Sequence, residues 1–142
     1  MTSDFKACLD KGSLRKASIA PDLASKELDL AKADLNAAKS SLKGNDSKWD
    51  TVQAYYSMFH AGRALVYKEG YRERSHACLI IALKEIYQGK GLDVGLIDAM
   101  QEAKALRENA DYVGEFSHDS AARLVEATKK FYSAAKSIFK RN

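Results

Sequence analysis

Residues 52–67 read VQAYYSMFHAGRALVY, and they carry two parallel rows of side chains when wound as a helix. The first row is apolar and recurs at intervals of three and four, the stripe that a helix buries against its neighbours. Its members are Val52, Tyr55, Phe59, Gly62 and Val66. The second row has the same spacing on one flank: Tyr56, His60, Arg63 and Tyr67. Because a solvated helix face normally carries Lys and Glu, this flank predicts a contact surface.

Helical patterns extend over the rest of the chain. One proline in 142 residues and abundant Ala, Leu, Lys and Glu favour an almost entirely helical protein, and no segment has a credible strand pattern. Helices are predicted over residues 4–10, 21–43 and 48–69, from Ser75 to the Gly89 turn, from Asp93 to 113, and from about Ser117 onwards. The short connections predict an all-α fold, an antiparallel up-and-down bundle of about five long helices plus a short N-terminal helix.

Length and composition exclude several classes of protein. A chain of 142 residues is one domain, and 46% apolar with 30% charged residues is ordinary for a globular protein. No run of about 18 apolar residues occurs, and the N-terminus lacks the pattern of a leader peptide, so we expect a cytoplasmic protein without a membrane contact. Cys8 and Cys78 are 70 positions apart without a CxxC pair, which predicts free, buried thiols. Three scattered histidines predict neither a metal site nor a cofactor.

The C-terminal residues 129–142 carry five basic side chains and no acidic one, whereas the net charge of the whole chain is +4. These are Lys129, Lys130, Lys136, Lys140 and Arg141. Two interpretations remain open. The dipole of a C-terminal helix favours such charges whatever the function, and a contact with RNA or a nucleotide would use them directly.

Several ordered motifs resemble those of the HEPN domain (higher eukaryotes and prokaryotes nucleotide-binding). They are the run at 55–65, the Gly70-Tyr71 break, the Ser75-His76 helix start, the segment 106–112 and the closing helix at 121–131. The resemblance covers about residues 26 to 140. It implies a HEPN-like helical bundle domain at residues 26–142, preceded by an N-terminal extension with a short helix at 1–25.

The same resemblance implies a homodimer that binds a nucleotide or RNA and acts with a small nucleotidyltransferase partner, as in toxin–antitoxin modules. Some HEPN domains are metal-independent ribonucleases with an Arg-x4-6-His motif at the dimer interface, where a histidine moves the 2′-hydroxyl proton. This sequence contains no such spacing. It therefore resembles the branch that lacks the motif, and we expect no catalytic residue. The alternatives are a ribonuclease built from Arg72, Arg74 and His76, and a non-catalytic protein-interaction module.

Three groups of residues are candidates for the binding site. The flank Tyr56, His60, Arg63 and Tyr67 either binds a base and a phosphate or fills the edge of the core and bonds a neighbouring helix. The group Arg72, Arg74 and His76 is either a phosphate cup at a helix N-terminus or a solvated turn capped by Ser75. The third group is Arg107, Asp111 and Tyr112. Arg107 and Asp111 are one helical turn apart and either form a structural ion pair, or Arg107 keeps free donors that point into the same groove as Arg63.

Overall fold

The computed structural model describes residues 1–108 and 116–141, which contain six helices and two short strands. In chain order these elements are α1 (Ser3–Asp10), β1 (Leu14–Lys16), α2 (Pro21–Lys43), α3 (Ser47–Lys68), β2 (Tyr71–Glu73), α4 (His76–Tyr87), α5 (Val94–Glu108) and α6 (His118–Phe139). The predicted all-α bundle is confirmed. The predicted end of the fifth helix, up to residue 113, lies outside the described residues.

The helices begin where the sequence supplies a capping side chain. Asp46 accepts a hydrogen bond from the backbone N–H of Trp49 at 3.4 Å, and Ser75 accepts one from Cys78 at 3.0 Å. Ser117 caps α6 in the same way, and Pro21 is the first residue of α2. These side chains satisfy N–H groups that have no partner within the helix.

Helix α3 lies at the centre of the bundle, in contact with α2, α4, α5, α6 and β2. Its apolar row is buried from Tyr55 onwards, with Tyr55 and Val66 fully shielded from solvent, and Val52 is half-buried. Its approach to α4 requires a glycine, because a Cβ on Gly62 would lie 2.7 Å from Cδ1 of Leu83. On the other side, the buried hydroxyl of Ser57 donates to the carbonyl of Ala31 on α2 at 2.7 Å. Side chains on both flanks of α3 are therefore held between packed neighbours.

The prediction that the chain has no strand is wrong. Strand β1 pairs with β2 in antiparallel register, with Leu14 opposite Glu73 and Lys16 opposite Tyr71. Three residues are too short a segment for alternation to be visible, and the partner strand lies more than fifty residues away along the chain. The small sheet fixes the chain at the end of α3, directly before α4.

The prediction of free thiols is also wrong, although both cysteines are buried as expected. Cys8 of α1 forms a disulfide bond with Cys78 of α4, with their Cα atoms 5.9 Å apart. The spacing along the chain hides the pair, because only the packing of α1 on α4 brings the two together. Beside the bond, the ring of Phe5 stands edge-on to Tyr71 at 5.7 Å. Helix α1 is therefore anchored to both β2 and α4.

In the described parts of the chain, 1–108 and 116–141, every helix is too short or too polar to cross a membrane.

Candidate functional site

The polar row of α3 faces acidic residues of α2. Nδ1 of His60 lies 2.6 Å from Oε2 of Glu27, and Nε2 lies 3.7 Å from Oδ2 of Asp34. Burial raises the pKa of Asp34, and the charge of His60 opposes that shift. His60 thus lies between two carboxylates that are two helical turns apart on α2, and it hydrogen-bonds Glu27.

Arg63 is bound by a carboxylate of β2. Its Nη2 donates to Oε2 of Glu73 at 2.7 Å, and its Nε donates to both carboxylate oxygens at 3.2 and 3.3 Å. The Glu73 side chain is only 2% exposed, and a second carboxylate, that of Glu27, lies 3.6 Å from Nη1. Burial lowers the pKa of Arg63, but the hydrogen bonds and charge of Glu73 outweigh it and raise the pKa overall. The charge of Arg63 is therefore already matched within the protein.

Tyr67 closes this end of the row. The guanidinium carbon of Arg63 lies 5.8 Å from the centre of its ring, and that of the exposed Arg72 lies 5.9 Å away. Burial raises the pKa of Tyr67, so the phenol stays neutral over the physiological range. The ring is a platform for two cations.

His76 is the first residue of α4 and stacks on the aromatic side of α3. Its ring lies 4.3 Å from that of Phe59, and its Nδ1 is 2.6 Å from the hydroxyl of Tyr55. Partial burial lowers the pKa of His76, and the positive charge of Arg107 lowers it further. Burial raises the pKa of Tyr55. Both groups are consequently neutral at physiological pH.

Arg107 of α5 reaches the same aromatic side. Its Nη1 donates to the hydroxyl of Tyr56 at 3.1 Å, and its guanidinium carbon lies 5.1 and 5.4 Å from the rings of Tyr55 and Tyr56. Its Nε is buried without a hydrogen-bond partner among residues 1–108 and 116–141, and no carboxylate in those ranges forms a salt bridge with it. Stacked cations of this kind retain donors for an anion.

The fold thus brings most of the predicted residues to one face, which we call the α3 face. Its members are Tyr56, His60, Arg63, Tyr67, His76 and Arg107. Arg72 packs at its edge. Arg74 is exposed, and its backbone N–H bonds the carbonyl of Ser13 at 2.8 Å. Asp111 and Tyr112 lie outside the described residues.

Four contributors to this face were not predicted as site residues: Glu27, Tyr55, Phe59 and Glu73. Tyr55 and Phe59 belong to the apolar row, so the spacing assigned them to the core alone. The two glutamates lie in segments whose contact with α3 depends on the fold. A signal for Glu73 exists in hindsight, because a buried strand position that carries a glutamate needs a cationic partner.

A sequence profile of the HEPN domain matches residues 24–138 of the chain. The chain belongs to the HEPN family. A UPF0332 protein of Archaeoglobus fulgidus is 31% identical to this HEPN domain over 91 residues, which is 63% of this chain and 73% of that protein. The resemblance inferred from the motifs is confirmed, and it makes the chain a nucleotide- or RNA-related helical domain.

Proposed function

We propose that this HEPN domain binds a nucleotide, or a phosphate group of RNA, at the aromatic end of the α3 face without cleaving it. The proposal rests on the contacts that the guanidinium of Arg107 makes. Its guanidinium is held over two tyrosine rings, and one of its donors is buried without a partner in the described residues. A phosphate oxygen is a fitting acceptor for the terminal nitrogens of this half-exposed guanidinium, and the half-exposed ring of Tyr56 beside it suits a base.

The charges of the face favour Arg107 over Arg63 as the phosphate ligand. Arg63 is held by a carboxylate that is nearly inaccessible to solvent, so an incoming phosphate would have to displace Glu73. Among residues 1–108 and 116–141, Arg107 has a neutral partner, the hydroxyl of Tyr56, and no salt bridge. In this proposal Arg63 has a structural role in the α3 face, and Arg107 binds the phosphate.

His76 supplies a second donor next to Arg107. The hydroxyl of Tyr55 lies 2.6 Å from Nδ1 of His76, and in this proposal it donates to Nδ1 of the neutral imidazole, so that the ring proton is on Nε2. A neutral N–H donor recognises a phosphate or a base edge without adding charge. The low pKa thus suits a binding role for His76.

The HEPN family also supports a proposal for partners. We expect a homodimer and a small nucleotidyltransferase that acts together with this domain, as in toxin–antitoxin modules. The test is coexpression with a nucleotidyltransferase encoded by a neighbouring reading frame, followed by size-exclusion chromatography. A complex of stable composition supports the pairing, and separate elution of the two proteins contradicts it.

Binding is tested by thermal shift and calorimetric titration with ATP, GTP, CTP, UTP and a short single-stranded RNA. A ligand of the folded state raises the unfolding midpoint by an amount that grows with the logarithm of its concentration over its dissociation constant. We expect Arg107→Ala to abolish the shift. The matched control is Arg123→Ala, which removes the same charge from an exposed pair with Glu102. A shift that survives in Arg107→Ala refutes this site, and no shift with any ligand favours the protein-interaction module.

One observation favours a ribonuclease as a second candidate. A partly exposed histidine with a lowered pKa beside an arginine has the properties of a general base with a charge-stabilising partner. In this structure the arginine beside His76 is Arg107, whereas the sequence-based alternative used Arg72 and Arg74. Metal-free cleavage of a labelled RNA that disappears in His76→Ala supports this candidate. An intact RNA after incubation with the unmodified protein rules it out.

A further inference from the structure

Helices α2 and α6 lie side by side in opposite directions. The ammonium of Lys32 on α2 is 5.4 Å from the centre of the Tyr132 ring on α6. A hydrogen bond from Lys129 lowers the pKa of Glu126, and the charge of Lys39 contributes to that shift from across the helix pair. Residue 32 of α2 therefore lies opposite residue 132 of α6, and residue 39 lies near residue 126. These two pairs define the antiparallel register of the helices.

Each of these helices carries three lysines at the same spacing. The intervals are seven and four residues in both cases, so each set forms one row along a helix. The rows are Lys32, Lys39 and Lys43 on α2, and Lys129 and Lys136 on α6 with Lys140 at its C-terminal cap. All six side chains are exposed or half-exposed, and both rows flank the seam between the helices. We call this set the lysine track.

The antiparallel register interleaves the two rows. Projected onto α6, the lysines of α2 fall near residues 122, 126 and 133, between and beyond those at 129, 136 and 140. At 1.5 Å per residue the six charges span about 27 Å, with one charge about every 5.4 Å. Along the helix axis the order is two lysines of α2, one of α6, one of α2 and two of α6, so the charges follow both sides of the seam at near-regular axial intervals.

The ring of Tyr132 lies half-buried under Lys32, and the exposed side chains between the lysines are small and polar. Asn36 and Ser133 are exposed between the lysines. Asp29 and Glu126 are the acidic residues on the same rows, and the carboxylate of Glu126 already binds Lys129 at 2.7 Å. The large apolar side chains that are exposed on the described parts of the chain lie elsewhere: Met1, Leu23, Leu30, Trp49 and Val94.

We infer that the lysine track binds the phosphodiester backbone of a nucleic acid strand. A regular series of cations with hydrogen-bonding side chains between them matches a regular series of phosphates, and binding releases the counterions of the strand. A membrane surface fits less well, because peripheral helices bind lipid through an apolar face that this track lacks. The inference does not rest on the proposed nucleotide site, which shares no residue with the track.

The test measures fluorescence anisotropy of a labelled single-stranded RNA against the triple variant Lys32→Gln, Lys39→Gln and Lys136→Gln. For three lost phosphate contacts we expect affinity at low salt to fall at least about tenfold. The slope of log K against log salt should fall by about 2. The matched control replaces three exposed lysines outside the track by glutamine: Lys6, Lys11 and Lys90. Circular dichroism verifies that both triple variants keep the fold.

The outcomes separate the track from its alternatives. A selective loss in the track variant, with an unchanged control, supports the inference, and parallel titrations with duplex RNA and DNA identify the kind of strand. Equal losses in both variants, or no binding of any strand, overturn it. Preferential binding to vesicles of anionic phospholipid overturns it as well. RNA affinity in Arg107→Ala that equals that of the unmodified protein separates the track from the proposed nucleotide site.

Discussion

Asp50 should lower the stability of this protein as the pH rises from about 4 to about 7. Its side chain is fully buried in the first turn of α3, and both carboxylate oxygens lack a hydrogen-bond partner among the described residues. Burial raises the pKa of this carboxyl from 3.8 to about 7. Between these two values the folded protein keeps a proton that the unfolded chain releases, so each unit of pH favours unfolding.

The size of the effect follows from the two pKa values. A shift of one pKa unit corresponds to about 1.4 kcal/mol, so the full penalty above pH 7 is about 4 kcal/mol. Part of it is already present at pH 5, and the change in unfolding free energy between pH 5 and pH 8 is about 2.5 kcal/mol. Asp50→Asn removes this dependence because the amide does not titrate. Any cost of burying the amide is the same at every pH.

The assay is urea denaturation of the parent protein and of Asp50→Asn at several pH values, followed by circular dichroism. The informative quantity is the difference in unfolding free energy between the two proteins at each pH. His76 acts in the opposite direction, since its lowered pKa makes stability rise with pH, and that contribution cancels in the difference. From pH 5 to pH 8 the unfolding free energy of the variant should rise by about 2.5 kcal/mol relative to that of the parent. A difference that stays constant with pH would refute the reasoning.

Three further perturbations have expected results. Reduction of the Cys8–Cys78 bond, which closes a loop of 70 residues, should lower the unfolding free energy by about 4 kcal/mol in urea titrations, and Cys8→Ser should respond to no reductant. Gly62→Ala should cost about 1–3 kcal/mol because its methyl group collides with Leu83, and an unchanged melting temperature would contradict this contact. Glu73→Gln should cost roughly 2–4 kcal/mol, since it leaves the partly buried guanidinium of Arg63 with only the more distant carboxylate of Glu27, and a Glu73–Arg63 double-mutant cycle measures the coupling.

The sequence predicted the helices well because each carries its own signals. The apolar row of α3, the caps at Asp46 and Ser75, and the proline at the start of α2 act within a few residues. Strands of three residues and a disulfide bond between distant cysteines leave no such local signal. They depend on which surfaces meet when α1 packs on α4.

The sequence predicted several residues of the candidate site, but it did not predict which arginine has a carboxylate partner. The row of α3 identified Tyr56 and Arg63 as members of a special flank, and the structure places both there. Which cation has a carboxylate partner is decided by β2 and α2, whose positions depend on the whole fold. The spacing alone therefore could not distinguish the neutralised Arg63 from Arg107, which contacts neutral tyrosines.

The disulfide bond ties a segment that precedes the family match to the matched domain. The match to the HEPN domain begins at residue 24, whereas Cys8 and β1 come earlier in the chain. A polypeptide trimmed to the matched residues would carry a single thiol at Cys78 and an unpaired edge at β2, and an exposed edge is a template for pairing with other chains. In the intact protein β1 occupies that edge of β2 within the same chain.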